Sequence, residues 1–234
     1  MWYFVLFVLV VVAAGGAVLV YQPKNLAFSK LLLSFSGAYL FGLIFLHLLP
    51  EIYEDSSWDI GIYILLGFLL QLALDYFSKG IEHGHAHLHG NKFPIAIFIG
   101  LCLHSFFEGM PILNYSSTGN LEMNYSLISG IMIHKIPIAI VLAGLLKQRF
   151  SITKSLIFIL IFAITLPLGS LANISISQLV TDTAQYEHIV LAIVVGIMLH
   201  VSTTILYESD EAHKFNLQKV ISILIGFAIA YYTS

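Results

Sequence analysis

Eight apolar runs follow one another along this chain, at roughly 2–21, 30–50, 58–78, 93–114, 122–146, 153–173, 186–207 and 215–232. Each approaches the length of about 20 residues that a helix needs to cross a hydrocarbon layer roughly 30 Å thick. The connections between them are too short to fold as separate domains. The expected fold is therefore all-α: a polytopic membrane protein of eight transmembrane helices, forming one membrane domain over residues 1–234. Only 10% of the residues are charged, against about 25% in an ordinary soluble domain, so water is not what most of this surface faces. The first run has no basic residue before it, is long, and leads through a polar loop to a second run. It is read as a retained helix and not as a signal peptide.

The basic residues give an independent check, because cytoplasmic loops collect Lys and Arg. Lys24 and Lys30 separate the first two runs, and Lys79 and Lys92 the third and fourth. Lys147, Arg149 and Lys154 separate the fifth and sixth, and Lys214 and Lys219 the seventh and eighth. The opposite connections contain none of these and hold Glu54, Asp55, Asp59, Glu122, Asp182 and Glu187. A miscounted helix would scramble this alternation, so it supports eight spans with both termini outside. Cys102, the single cysteine, excludes an internal disulfide framework and any Cys-rich zinc module. It reads as a small buried hydrophobe. Nothing in the charge pattern points to nucleic acid; membrane lipid is the expected surrounding.

The tenth basic residue, Lys135, falls in the middle of the fifth run. A charge at the bilayer centre costs about 2.5–3.5 kcal/mol on insertion scales, so such residues face the bundle interior with partners. Near the same depth lie His104 and Glu108 on the fourth run, His134 beside Lys135, and His200 on the seventh. His47 and Glu51 come toward the outer end of the second run, and Asp75 and Glu208 toward the inner ends of the third and seventh.

His104 and Glu108 are four residues apart and so share one helical face, about 6 Å along the axis. Imidazole with carboxylate suits Zn(II), Fe(II), Mn(II) or Cd(II) without the thiolates of a tight closed site. His134 is the natural third ligand; the competing structural role is a His–Glu hydrogen bond that holds helices together. Gly100, Gly130 and Gly196 each stand four residues before a histidine, where a small residue permits close helix approach. Pro111 and Pro137 fall beside the two central clusters; they line a substrate path or simply kink the helices. Two further histidine features stand outside this centre. His47 and Glu51 either gather metal at the outer mouth or are interfacial and structural. His83, His85, His87 and His89, in a His-rich loop at about 79–92 on the expected cytoplasmic side, would bind zinc transiently through ligands that exchange easily.

These residues carry a family resemblance. His104-Ser105-Phe106-Phe107-Glu108-Gly109 on the fourth run, then His134-Lys135-Ile136-Pro137 on the fifth, resembles the ZIP family of zinc and iron permeases. His47-Leu48-Leu49-Pro50-Glu51 is similar to that family's ending of the second helix. The resemblance implies a ZIP-like bundle that moves divalent metal ions, zinc first and cadmium, iron or manganese as alternatives, into the cytoplasm. Its site lies between the fourth and fifth helices, with His104, Glu108 and His134 as metal ligands. Many relatives hold two metals there, bridged by a glutamate in a Pro-Glu-Gly sequence. Ile138 stands in that glutamate's place, Lys135 in the place of a second-site ligand, and Ser105 where asparagine often sits. A single transport metal is therefore expected, with the Lys135 ammonium replacing the second ion. His200 departs from a tyrosine common at its position and is either an exit-side ligand or a hydrogen-bonding core residue; Glu208 lies further along the same side. Relatives are often homodimers, and the plasma membrane (the inner one in a prokaryote) is the expected location. The rival reading from another class is an intramembrane zinc hydrolase, which would also place histidines and a carboxylate within helices, although no His-Glu-x-x-His motif is present. A metal-sensing receptor is a weaker third.

Overall fold

The computed structural model describes residues 2–21, 27–54, 59–78, 95–115, 120–208 and 217–233. Their helices are α1 (Trp2–Tyr21), α2 (Ala27–Leu43), α3 (Leu49–Glu54), α4 (Gly61–Ser78), α5 (Ile95–Gly109), α6 (Tyr125–Lys147), α7 (Ile152–Ser177), α8 (Thr183–Glu208) and α9 (Leu217–Thr233). The arrangement is that of an all-α polytopic membrane protein. Among the described residues six helical segments are long and apolar enough to cross a membrane, and two shorter apolar helices, Gly61–Tyr76 and Leu217–Thr233, accompany them. Helices satisfy their backbone hydrogen bonds internally, which is what a segment in hydrocarbon requires.

Three local features depart from plain helices. Between α2 and α3 the chain widens into a π-turn at Ile44–Leu48, closed by the Leu49 N–H donating to the Ile44 carbonyl. Pro50 follows directly and has no N–H to continue an α-helical ladder, so the wider turn sits where the regular pattern would leave a carbonyl unpaired. Secondly, the fourth run was expected to stay helical to 114. Instead α5 ends at Gly109 and passes through a 3₁₀ turn, Met110–Ile112, that contains Pro111. The chain then extends into β1 (Leu113–Tyr115), paired antiparallel with β2 (Leu121–Met123) in the register Leu113 to Met123 and Tyr115 to Leu121. The fifth helix starts at Tyr125 and not at 122, with the Asn124 side chain accepting from the Leu127 N–H as an N-cap. The all-α class stands, with this short antiparallel strand pair between α5 and α6. Thirdly, Pro137 lies inside α6.

The helices associate in two groups. In one, α1 packs on α6 and α7, and α5 packs on α7; in the other, α2 packs on α9 and α8, and α4 packs on α8. Contacts of α2 with α6 and of α4 with α5 join the groups. In the α2–α9 pair the two helices run parallel: Ser222 donates to the Leu31 carbonyl near one end, and Tyr39 meets Thr233 near the other. Lys147 donates to the Leu19 carbonyl and Lys219 to the Leu206 carbonyl. Both acceptors belong to the last turn of a helix, where carbonyls lack intrahelical partners and the dipole favours a cation.

Glycine makes two of these pairings possible. A Cβ on Gly67 would stand 1.9 Å from the Ile193 carbonyl oxygen, and one on Gly196 would stand 2.0 Å from that of Ile64. The same reciprocal contact recurs between α5 and α7, at 2.1 Å from Leu166 O for Gly109 and 1.9 Å from Phe106 O for Gly169. Backbone meets backbone at both crossings, the association that small residues allow in membranes.

Gly196→Ala and Gly169→Ala should each lower thermal stability in detergent, by about 1–3 kcal/mol, the usual cost of overpacking. Gly144 on α6 has nothing within 4 Å of a Cβ, so Gly144→Ala should be neutral or stabilising by up to about 1 kcal/mol through helix propensity. Equal melting temperatures for all three variants would contradict the close-crossing account.

Candidate metal site

The interior of the bundle is largely apolar, and its buried ionisable residues among those described, His104, Glu108, His134, Lys135 and His200, stand on α5, α6 and α8. His104 and Glu108 are fully buried on one face of α5, with His104 Nε2 3.2 Å from Glu108 Oε1. His134, also fully buried, comes from α6, its ring centroid 6.3 Å from that of His104 and nearly perpendicular to it. One donor atom from each of the three residues lies within 4.8 Å of the others, and among the described residues this is the group of His, Cys, Asp or Glu side chains so placed. Ligands about 2.1 Å from a tetrahedral zinc are about 3.4 Å apart. A modest side-chain adjustment therefore closes the three around one ion.

The other oxygen of the carboxylate, Oε2, contacts the Lys135 ammonium, which is likewise fully buried. The Lys135 Nζ also lies 5.4 Å from the centre of the Phe162 ring on α7, within reach of a cation–π attraction. The carboxylate is thus shared: one oxygen faces the imidazoles and the other an internal cation. Ile138, one turn beyond His134, is fully buried in the apolar core and supplies no donor atom, while Ser105 is buried next to His104.

A chain of polar side chains leads away from this centre into the second helix group. His104 Nδ1 is 3.0 Å from Gln71 Oε1 on α4, and the Gln71 Nε2 donates to Asp75 Oδ1 at 2.9 Å. Asp75 Oδ2 is 3.3 Å from His200 Nδ1 on α8, and the His200 ring meets Phe68 edge-on at 4.7 Å. His200 therefore lies apart from the three clustered residues but is linked to them through its ion-pair contact with Asp75 and the hydrogen bonds of Gln71. Asp75 stood out in the sequence as an intramembrane charge. Gln71 did not, because a neutral amide raises no hydropathy alarm; its only signal was the i, i+4 spacing to Asp75.

His47 and Glu51 are not part of the central group. They are partly exposed, 4.0 Å apart on the π-turn and α3. His188 on α8, also missed in the sequence, lies near enough to act on the charge of Glu51 together with His47. Close by, Glu187 accepts from the Tyr115 N–H at 2.9 Å and so ties the β-hairpin to α8. The backbone of Glu208 ends α8, and its side chain is outside the described set; His83, His85, His87 and His89 lie outside the described residues altogether.

Fold and site together define a polytopic membrane protein with a buried imidazole–carboxylate centre. The family model for the ZIP zinc transporter matches residues 93–233, the stretch that holds all three clustered residues. The chain belongs to the ZIP family of transporters, which are not enzymes. It is 26% identical over 167 residues to protein zntD of Dictyostelium discoideum, an alignment that covers 64% of this chain. The chain spans about a quarter of that curated relative's length, 24%. The family assignment leaves the expected alternative, an intramembrane hydrolase, without support.

Removal of Lys135 alone would leave the Glu108 carboxylate buried without its cation. Lys135→Met should destabilise the protein by about 3–5 kcal/mol, as breaking a buried pair from one side does. Adding Glu108→Gln should return part of that loss. Thermal unfolding of the two variants in one detergent checks it; a double variant less stable than Lys135→Met would show that the two groups are not energetically paired.

Proposed function

We propose that this protein carries zinc, with cadmium, iron or manganese as alternative cargo, from outside into the cytoplasm. The ion would bind at His104, Glu108 and His134 between α5 and α6. The observation that carries this reading is the buried, three-residue imidazole–carboxylate cluster in a member of the ZIP family. The chain crosses the membrane eight times with both termini outside, a topology supported by the alternation of basic residues between loops. The membrane is the plasma membrane, the inner one in a prokaryote.

The transport site takes one ion. A second dication would have to sit beside the buried Lys135 ammonium, where like charges repel strongly. Ile138 offers no bridging oxygen, so water completes the coordination. A site with one carboxylate and a nearby cation binds weakly enough to release its cargo. Ions gather at His47 and Glu51 with His188 beside them, and leave past His200, Asp75 and Glu208 toward His83, His85, His87 and His89. Alternating access follows when the helix group that contains α5 and α6 shifts against the other.

In vesicles containing the purified protein, zinc influx should be saturable. His104→Ala, Glu108→Ala and His134→Ala should each cut it at least about 100-fold, the upper end of what loss of even an outer partner of a metal costs. Influx unaltered in all three variants would place the path elsewhere, and the absence of influx with one ion held per chain would revive catalysis.

Stoichiometry is a separate check. The parent should bind one zinc in the transport site at saturation, counted as the difference from His104→Ala, and the Lys135→Asp, Ile138→Glu variant should bind two. Two ions in the parent would overturn the single-ion reading.

A further inference from the structure

The metal ligands stand on α5 and α6, but one of them is gripped from the opposite helix group. Gln71 lies fully buried on α4, and its amide has two neighbours that constrain its orientation. Asp75 Oδ1, at 2.9 Å, is a carboxylate oxygen and only accepts when ionised. The Gln71 NH₂ must therefore face Asp75. The amide carbonyl is then the end left for His104, 3.0 Å from Nδ1. A carbonyl also only accepts, so His104 must carry a proton on Nδ1 and donate it. With Nδ1 protonated, a neutral imidazole has its lone pair on Nε2, and Nε2 is the atom 3.2 Å from Glu108 Oε1 on the side of the three-residue cluster. Asp75 is itself held by His200, at 3.3 Å from its other oxygen.

We infer that Gln71 is a positioning residue for the transport site: oriented by Asp75, it fixes the tautomer and ring angle of His104 so that Nε2 faces the metal. This rests on the reading of His104 as a ligand. Histidines that bind metals depend in this way on the group that accepts their other N–H, and loss of that acceptor typically costs 10–100-fold in metal affinity. What is unusual is the source of the acceptor. It is a neutral amide on a helix that contributes no ligand, and it is itself set by a carboxylate one helical turn away.

The chain of acceptors also defines a restoring substitution. In the Gln71→Glu, Asp75→Asn variant, the carboxylate introduced at position 71 would still accept from His104. The amide introduced at position 75 would donate to that carboxylate, with total charge unchanged. Gln71→Met keeps side-chain length and removes the acceptor.

The experiment is zinc binding by isothermal calorimetry to the purified full chain in detergent, with the melting temperature of every variant recorded beside it. In parallel, ¹⁵N-histidine spectra would be taken of the zinc-loaded protein, with the His104 signal assigned by its loss in His104→Ala. Gln71→Met should weaken zinc binding about 10–100-fold and lose the Nδ1-protonated, Nε2-metallated signature. The exchanged pair Gln71→Glu, Asp75→Asn should recover both. Parent affinity in a folded Gln71→Met protein would overturn the inference, as would an exchanged pair no better than Gln71→Met at parent-like melting temperature. Full zinc binding by His104→Ala would instead remove the ligand reading on which it rests. Loss in His104→Ala with none in Gln71→Met would overturn the positioning role alone.

Discussion

The Glu108 carboxylate is the constraint around which the rest of the interior is arranged. An ionised carboxylate taken from water into an apolar medium without partners costs far more than the total stability of a domain. Glu108 is fully buried on a largely apolar helix, so its polar neighbours must compensate it. Lys135 supplies a countercharge from α6, His104 a nitrogen from the preceding turn of α5, and His134 a second imidazole nearby. The register of α6 against α5 is therefore not free. A slip of one residue along α6 would turn Lys135 about 100° off the shared face and leave two buried charges apart. The residues that can hold a metal are also those that settle how two central helices meet.

Burial of these groups requires a closely packed surrounding, and the glycines provide it. Gly109 directly follows Glu108 at the end of α5, and it lets the α7 backbone approach so closely that a Cβ there would strike the Leu166 carbonyl. Ser170 on α7 then donates to the Gly109 carbonyl, and Asn173 donates to the Leu113 carbonyl beyond it. The end of α5 and the chain past Pro111 are thus secured by side chains of α7 where the helical hydrogen bonds run out. Full burial of both side chains leaves the Lys135–Glu108 attraction weakly screened.

What the sequence made legible was whatever announces itself by local spacing or by energetic cost. Length and hydropathy place the spans, and the i, i+4 interval puts His104 with Glu108. Lys135 is conspicuous because a charge in mid-span needs a partner, and the resemblance already set its ammonium near Glu108; which carboxylate oxygen it meets is decided by packing, since the two lie on different helices. The β-hairpin escaped notice because Leu113–Tyr115 and Leu121–Met123 sit at the ends of apolar runs, and three-residue strands have too few positions for period two to show. The π-turn before Pro50 likewise has no compositional mark of its own. Gln71 is the instructive omission: its role depends on a nitrogen 33 residues away in the chain, and nothing local to α4 predicts that encounter.

The division of labour between the two helix groups bears on how such a site changes state. His104, Glu108, His134 and Lys135 all belong to the group of α1, α5, α6 and α7; Gln71, Asp75 and His200 belong to that of α2, α4, α8 and α9. In the proposed motion of one group against the other, the three proposed ligands and the internal cation would stay together, because all four residues stand on α5 and α6. What such motion would part is the hydrogen bond between Gln71 and His104, and with it the restraint on which imidazole nitrogen faces the ion. A protein that binds on one side and releases on the other needs an affinity that depends on state, since a ligand held equally in two conformations shifts neither. Under the proposed alternating access the ligand set would supply the same donors in both positions, and the acceptor on α4 would be available only in one. The dependence of affinity on state can therefore reside in a neutral amide that never touches the metal.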